Sequence, residues 1–199
     1  MKILISGFKA FNNETINPSL LIAKELKNEY ENIQLIELNV EYNNDSIKLV
    51  NKIKEINPDI IILLGQACGR RNVCLEQYAL NVQSAQIEDN ANIKILDKNI
   101  SNDGDIAYTS TIDLKDVINN VNDTNLIISY HAGTFICNEI YYNALHYLKD
   151  NNLNTPCVFI HIPFFKEQIE NKINVPYLDK QISKEIIIKV INYLINKKL

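Results

Sequence analysis

Hydrophobic and polar residues are arranged along this chain in two different patterns. Short runs of consecutive apolar residues are typical of strands buried on both faces, and apolar residues spaced three and four apart are typical of amphipathic helices. The apolar runs predict strands over 2–6, 33–40, 59–65, 126–129 and 157–162. The helical spacing predicts helices over 19–29, 45–56, 114–119, 135–149 and 183–197. Asn17 is expected to cap the first helix, with Pro18 in its first turn.

Strands and helices alternate in the predicted order, and this order is typical of a parallel sheet covered by helices on both faces. We therefore expect an α/β fold, a three-layer αβα sandwich with a mostly parallel, twisted central sheet. A looser alternation over 73–86 predicts a strand or one arm of a short hairpin, with 93–96 as its partner. With 199 residues, 46% of them hydrophobic, the chain is expected to form a single domain over 1–199.

The charge distribution argues against nucleic acid and membranes as partners. The 20 lysines and arginines are scattered along the sequence, and the formal net charge is -4. The apolar run at the start is too short for a signal-peptide core, and no segment approaches membrane-spanning length. We therefore expect a cytoplasmic protein with reduced cysteines. The cysteine spacing fits no zinc motif, so neither a metal nor another cofactor is expected.

Two segments in the last third of the chain contain groups suited to nucleophilic catalysis. Gly133 supplies a turn after the strand 126–129, and Cys137 falls in the first turn of the next helix, where the helix dipole stabilises a thiolate. His161 lies at the end of the strand 157–162, on the sheet edge where active sites of α/β proteins gather. A cysteine nucleophile with a histidine base is the leading hypothesis. Each residue also has a structural alternative, a buried core thiol or a hydrogen-bonded histidine at a strand end.

Motifs that carry a family resemblance are spread over nearly the whole chain. In chain order they are Gly7-Phe8 with Phe11 and Asn17-Pro18-Ser19; Gly65-Gln66-Ala67-Cys68-Gly69-Arg70; Leu75-Glu76 with Asn81; Asp89-Asn90; Ala107-Tyr108 with Ser110-Thr111; 129–138, which contains Cys137; and Phe159-Ile160-His161-Ile162-Pro163 with Glu167-Gln168. Together they resemble the motifs of the type I, cysteine-dependent pyroglutamyl peptidases, also called pyrrolidone-carboxylate peptidases. Several independent motifs in the right order argue against chance agreement.

The resemblance implies a cysteine exopeptidase, an omega peptidase that hydrolyses the amide bond after an N-terminal pyroglutamyl (5-oxoproline) residue. Carried over by position, Cys137 is the nucleophile, His161 is the base, and Glu76 orients the imidazole. Glu76 has a structural alternative as a solvated carboxylate on a strand. Peptides with N-terminal pyroglutamate are the implied partners, and a homodimer or homotetramer is the implied assembly.

The substrate group explains which side chains a binding pocket needs. A pyroglutamyl group is a flat, neutral lactam with one N–H donor and one ring carbonyl, so aromatic faces and one or two amides suit it. The resemblance implies that two phenylalanines of the first loop hold this ring and that nearby polar groups bond it. The matching positions here are Phe8, Phe11, Asn17 and Gln66. The two phenylalanines have a structural alternative, in which their rings fill the core.

Some positions depart from the family pattern. Asn12 and Asn13 replace two glycines of the first loop, Gln86 stands where an arginine is usual, and Cys68 replaces a small residue. These departures leave two alternatives beside the peptidase. One is a catalytically weak binding or regulatory homologue that keeps the ring pocket. The other is a cysteine amidase that acts on a related cyclic or acyl amide.

Overall fold

A six-stranded sheet lies at the centre of the structure, a computed structural model that describes residues 1–198. The strands are β1 (Ile3–Phe8), β2 (Ile33–Leu38), β3 (Ile60–Gln66), β4 (Val73–Glu76), β5 (Tyr78–Leu80), β6 (Ala107–Thr109), β7 (Leu126–Ser129) and β8 (Cys157–Ile162). The helices are α1 (Pro18–Glu29), α2 (Asn44–Ile56), α3 (Leu114–Val121), α4 (Ile136–Asp150) and α5 (Lys180–Lys198), and Lys166–Gln168 forms a 3₁₀ turn. No helix within 1–198 has both the length and the apolar character needed to cross a bilayer.

The strand order in the large sheet is β2-β1-β3-β8-β4-β7. Neighbouring strands are parallel except at one place, where β4 runs antiparallel to β8. The buried side chains form two apolar clusters, one on each face of the sheet. Helices α1, α3 and α5 contribute to the first cluster, and α2 and α4 contribute to the second. The expected three-layer αβα fold with a mostly parallel sheet is therefore confirmed.

A two-stranded antiparallel sheet takes the place of the expected short hairpin, and the predicted partner strand was wrong. β5 pairs with β6 in a separate antiparallel sheet, whereas 93–96 forms no strand. Asp89 gives the physical reason, because its carboxylate accepts hydrogen bonds from the backbone N–H groups of Ala91 and Ile93 at 2.8 Å each. A carboxylate that binds these N–H groups turns the chain locally and removes a donor that a strand ladder would need.

The helix boundaries follow local capping signals. The Asn17 side chain accepts a hydrogen bond from the backbone N–H of Ser19 at 3.1 Å, which confirms the predicted cap. Helix α5 begins before the predicted position 183, because the Asp179 side chain accepts from the backbone N–H of Gln181 at 2.8 Å. A side-chain oxygen that satisfies a free N–H group at a helix start stabilises the first turn.

Glu139 is a buried carboxyl group in the first turn of α4, only 1% exposed. Its Oε1 accepts from the backbone N–H of Asn43 at 2.8 Å and from Ser46 Oγ at 2.9 Å. Within the described residues, its Oε2 is buried without a hydrogen-bond partner. Burial raises the pKa of Glu139 from its ordinary 4.5 to about 7, against the hydrogen bonds from Ser46 and Asn43.

Replacing Glu139 with glutamine should therefore change how stability depends on pH. Because the pKa is raised on folding, the folded state binds more protons than the unfolded chain between pH 4.5 and about 7. The free energy of unfolding of the wild type falls as pH rises through this window. Glu139→Gln should remove about 2–3 kcal/mol of that fall, since each pKa unit corresponds to about 1.4 kcal/mol.

Urea unfolding of Glu139→Gln and wild type at pH 5 and pH 8 would measure this effect. Glu170→Gln, at an exposed position, is the matched control and should keep the pH dependence of the wild type. A Glu139→Gln variant with an unchanged pH dependence would show that this carboxyl group is ionised in the folded state.

Candidate active site

The candidate catalytic residues lie at one end of the central sheet. His161 is the penultimate residue of β8, opposite Gly65 of β3 on one side and Cys74 of β4 on the other. Cys137 is the second residue of α4, the helix that covers the sheet face on which the Phe159 side chain lies. The local structure thus agrees with the sequence, which predicted a cysteine in a first helical turn and a histidine at a strand end.

Glu76 and His161 form a buried hydrogen-bonded pair. His161 Nδ1 lies 2.7 Å from Glu76 Oε1, and the two residues are 4% and 0% exposed. An ionised carboxylate only accepts hydrogen bonds, so Nδ1 carries the proton and Nε2 is the ring nitrogen left to exchange one. This is the arrangement that a general base needs, because the carboxylate fixes both the tautomer and the orientation of the imidazole.

The thiol of Cys137 packs against Gly65 at the end of β3. A Cβ atom built on Gly65 would lie 2.9 Å from Cys137 Sγ and 2.6 Å from the Phe159 ring. The Phe159 ring in turn lies 4.8 Å, centroid to centroid, from the His161 ring. Gly133 provides the turn that leads into α4, with φ of 81°. Because Gly65 has no side chain, there is room beside it for the Cys137 sulfur, on the same face of the sheet as Phe159.

The electrostatic surroundings favour the neutral thiol of Cys137. Burial raises its pKa to about 12, and the negative charge of Glu76 acts in the same direction. The backbone N–H of Cys137 and the positive charge of Arg70 oppose this shift. The sequence-based expectation of a thiolate stabilised by the helix dipole did not include this desolvation. Cys137 therefore needs a base that accepts its proton if it is to act as a nucleophile.

The whole chain is similar to proteins of known type. A family model described as pyroglutamyl peptidase matches residues 1–196. The chain belongs to the pyroglutamyl peptidase family. Pyrrolidone-carboxylate peptidase from Brachyspira hyodysenteriae is 39% identical over 203 residues, covering 100% of this chain and 99% of that protein. Pyrrolidone-carboxylate peptidase 1 from Caldanaerobacter subterraneus subsp. tengcongensis is 38% identical, covering 89% of this chain and 90% of that protein.

Solved structures of the same family share the fold. Pyrrolidone carboxyl peptidase from Pyrococcus furiosus superposes with a TM-score of 0.92 at 31% identity, covering 100% of both chains. The enzyme from Thermococcus litoralis gives a TM-score of 0.91 at 29% identity, covering 98% of this chain and 93% of that one. The similarity thus extends over all the elements that position Cys137 and His161.

The two candidate phenylalanines of the family's ring pocket differ in their surroundings. Phe8 ends β1 and is only 2% exposed, within the apolar cluster under α2 and α4. Phe11 is partly buried, and its ring centroid lies 6.1 Å from that of Phe135, the residue that precedes α4. Phe11 is therefore the ring with an open side next to the helix that carries Cys137.

The two candidate amides are both engaged within the protein. Asn17 uses its oxygen to cap α1 and its Nδ2 to bind the carbonyl oxygen of Lys9 at 3.0 Å, so it holds the first loop in place. Gln66 Oε1 accepts a hydrogen bond from Gln168 Nε2 at 2.8 Å. Gln168 is itself held by the backbone N–H of Phe165 at 3.1 Å. Gln66 consequently keeps its Nε2 as the donor that is left for a ligand carbonyl.

The departures from the family pattern have clear structural consequences. Asn12 and Asn13 have φ angles of 52° and 64°, so they adopt the left-handed conformation that the usual glycines would allow. Gln86 is exposed and accepts a hydrogen bond from Lys94 Nζ at 3.2 Å. The first loop therefore keeps a glycine-like backbone, and a lysine stands beside the position of the usual arginine. Cys68 is exposed.

Arg70 is a charged neighbour of Glu76 for which the sequence alone indicated no role. Its Nη2 lies 3.2 Å from Glu76 Oε1, the same oxygen that faces His161. The only sequence signal was its place at the end of the motif that begins at Gly65.

Replacing Gly65 with alanine should damage catalysis more than folding. The new methyl group would meet Cys137 Sγ at 2.9 Å and the Phe159 ring at 2.6 Å, so the Cys137 sulfur has to move. Displacing a reacting atom by about 1 Å costs about 100-fold in rate, and overpacking costs about 1–3 kcal/mol of stability. We expect kcat/KM to fall by about 100-fold, as measured with a pyroglutamyl anilide.

Gly104→Ala is the matched control for this clash. A Cβ there would lie 2.1 Å from Tyr142 Oη, so the variant should lose stability while its kcat/KM stays near that of the wild type. Equal losses of kcat/KM in both variants would contradict a specific role for the space at Gly65.

Proposed function

We propose that this chain is a pyroglutamyl-peptidase I in which Cys137 is the nucleophile, His161 the general base and Glu76 its orienting carboxylate. The family and its relatives indicate a cysteine exopeptidase that removes an N-terminal pyroglutamyl residue from peptides. The observation that supports the catalytic assignment most strongly is the 2.7 Å hydrogen bond between buried Glu76 and His161.

The reaction follows from the neutral thiol and the oriented imidazole. His161 Nε2 takes the thiol proton as Cys137 Sγ attacks the carbonyl carbon of the pyroglutamyl residue, which gives a tetrahedral oxyanion and an imidazolium. The imidazolium then protonates the leaving amine as the C–N bond breaks and a thioester remains. Water, deprotonated by the same imidazole, hydrolyses the thioester, releases pyroglutamate and restores the thiol.

The oxyanion needs donors that are already in place. The first N–H groups of a helix have no partner within the helix, and those of α4 lie beside Cys137. We assign the oxyanion to these backbone groups, a contribution of about 3–4 kcal/mol for each donor. They also lie at the positive end of the helix dipole, which favours developing negative charge.

For substrate binding, we propose that Phe8 and Phe11 hold the lactam ring and that Gln66 and Asn17 form the polar side of the pocket. The partly exposed Phe11 offers a ring face, and the buried Phe8 supports the wall behind it. Gln66 Nε2 can donate to the ring carbonyl, because Gln168 already occupies Gln66 Oε1. Asn17 acts by fixing the first loop.

Hydrolysis of pyroglutamyl p-nitroanilide and prolyl p-nitroanilide would test the proposed function. The two substrates have similar rings, but proline lacks the ring carbonyl. A buried amide that loses its partner costs about 1–3 kcal/mol, so we expect kcat/KM to favour the pyroglutamyl substrate by at least about 10- to 100-fold. Equal rates, or hydrolysis of neither substrate, would contradict the proposal.

A catalytically weak pyroglutamyl-binding homologue is the second candidate. Two observations favour it, the raised pKa of the Cys137 thiol and the exposed Gln86 in the usual place of an arginine. Calorimetry with free pyroglutamate, with and without Gln86→Arg, would separate the candidates. Binding without turnover in both proteins would support this second candidate, and turnover by the wild type would exclude it. Turnover restricted to other cyclic or acyl amides would support a cysteine amidase.

We further propose that 1–199 is a single catalytic domain that assembles as a homodimer or homotetramer in the cytoplasm. Apolar side chains exposed near the edge strand β7, such as Ile127 at 42% and Tyr130 at 72%, support a contact between subunits. Light scattering of the purified protein would measure the assembly, and a monomer at micromolar concentration would contradict it.

A further inference from the structure

Arg70 is in direct contact with the buried carboxylate of the triad. It lies between β3 and β4, and its Nη2 is 3.2 Å from Glu76 Oε1. The Glu76 side chain is 0% exposed, whereas that of Arg70 is 30% exposed. One carboxylate oxygen therefore faces two donors, the guanidinium at 3.2 Å and His161 Nδ1 at 2.7 Å. Within the described residues, Glu76 Oε2 is buried without a hydrogen-bond partner.

A carboxylate in this position needs a compensating positive charge. Transfer of an ionised carboxylate from water into a protein interior is costly unless it is paired, and a neutral imidazole supplies only a hydrogen bond. Arg70 supplies a full charge in every protonation state of His161, since a guanidinium stays protonated throughout the useful pH range. Arg70 and Arg71 are the arginines of this lysine-rich chain, and Arg71 is exposed.

The charge of Arg70 also reaches the nucleophile. Two charged groups act on Cys137, Arg70 from the turn after β3 and Glu76 from β4. His161 of β8, which lies opposite Cys74 of β4, is hydrogen-bonded to Glu76. Arg70 lowers the pKa of the Cys137 thiol, whereas Glu76 and burial raise it. Glu139, on the same helix, is directed towards Asn43 and Ser46. The opposite charges of Arg70 and Glu76 therefore determine much of the field at Sγ.

We propose that Arg70 is a positioning residue of the active site, whose guanidinium neutralises the buried Glu76 carboxylate and thereby allows a thiolate to form at Cys137. In this role Arg70 contacts neither the substrate nor the Cys137 thiol, and it acts through its ion pair with Glu76 and through its positive charge. The effect of Arg70 on catalysis rests on the proposed function. Its electrostatic consequence at Cys137 can be measured without any substrate.

The rate of Cys137 alkylation by iodoacetamide, resolved by mass spectrometry between pH 6 and pH 9, reports the thiolate directly. Arg70→Gln should slow this alkylation about tenfold at each pH, which corresponds to about one unit of thiol pKa. With a pyroglutamyl anilide, kcat should fall about 10- to 100-fold while KM changes less than about twofold. Arg70→Lys should recover part of both losses, because it keeps the charge but not the planar fork.

Arg71→Gln is the matched control, since it removes the same charge from the neighbouring exposed position. It should show the wild-type rate of Cys137 alkylation and the wild-type kcat. Arg70→Gln with wild-type alkylation and kcat, or Arg71→Gln with equal losses, would overturn the proposal. A wild type without pyroglutamyl hydrolysis would refute the proposed function alone, because the alkylation comparison would still test Arg70.

The double variant Arg70→Gln/Glu76→Gln keeps the test valid if Arg70→Gln does not fold. Removal of both partners of a buried ion pair leaves no unpaired charge and is tolerated better than removal of one. Without either charge, Cys137 should be alkylated at least as fast as in the wild type, while kcat stays low. Alkylation about tenfold slower than in the wild type would overturn the proposal.

Discussion

Replacing Cys137 with alanine should abolish release of pyroglutamate while the protein stays folded. The sulfur is the atom that attacks the substrate in this account, and loss of the nucleophile from a catalytic triad costs at least about 10⁴-fold in kcat. The change removes only the sulfur atom at the start of α4, so the free energy of unfolding should change by about 1 kcal/mol. Pyroglutamyl anilide hydrolysis and urea unfolding would measure both effects.

Cys68→Ala is the control for this experiment, because Cys68 is an exposed thiol on the turn that follows β3. It should keep the activity of the wild type. Activity that survives in Cys137→Ala but disappears in Cys68→Ala would show that the wrong thiol has been assigned as nucleophile.

His161→Ala should reduce kcat by about 10³- to 10⁴-fold, because the thiol then has no base to accept its proton. The raised pKa of Cys137, about 12, makes this loss severe, since very little thiolate exists at neutral pH without proton transfer. Glu76→Gln should reduce kcat by about 10²- to 10⁴-fold, because an amide can hold the imidazole in the wrong tautomer. KM should change little in either variant.

These two variants also differ in their expected stability. His161→Ala leaves a cavity beside Phe159 and removes the hydrogen bond to the buried Glu76 carboxylate, so it should unfold at lower urea concentration. Glu76→Gln should stay closer to the wild type. A Glu76→Gln enzyme with the kcat of the wild type would exclude Glu76 from the catalytic triad.

The sequence was sufficient to predict the elements whose signals are local. Three such signals depend only on neighbouring residues: the continuous apolar run of β3, the Asn17-Pro18 start of α1 and the turn at Gly133. The structure confirms each of them. The positions of Cys137 and His161 followed from the same signals, because a first helical turn and a strand end can be recognised from short segments.

Features that depend on distant residues were not predictable in this way. β5 pairs with β6 across an intervening loop, and β4 pairs antiparallel with β8, with Cys74 opposite His161. The contact of Arg70 with Glu76 is likewise invisible in the sequence pattern. Glu76 was identified as a candidate catalytic residue only through the family resemblance.

The raised pKa of the Cys137 thiol likewise could not be predicted from the local sequence. A cysteine in a first helical turn is expected to be acidic, but that rule holds for a thiol in contact with solvent or a positive charge. Here the sulfur packs against Gly65 in the sheet, a contact between segments far apart in the chain. Desolvation is a property of the tertiary structure and reverses the expectation from the local one.

Active-site labelling with pyroglutamyl chloromethyl ketone would test the central claim most directly, because it joins the substrate group to the nucleophile in one product. The sulfur displaces chloride, so mass mapping should show one pyroglutamyl-methylketone adduct per chain, located on Cys137. Free pyroglutamate should slow the labelling, and prolyl chloromethyl ketone should react at least about tenfold more slowly. Labelling of Cys68 or Cys74 in place of Cys137, or equal rates with both reagents, would contradict the account.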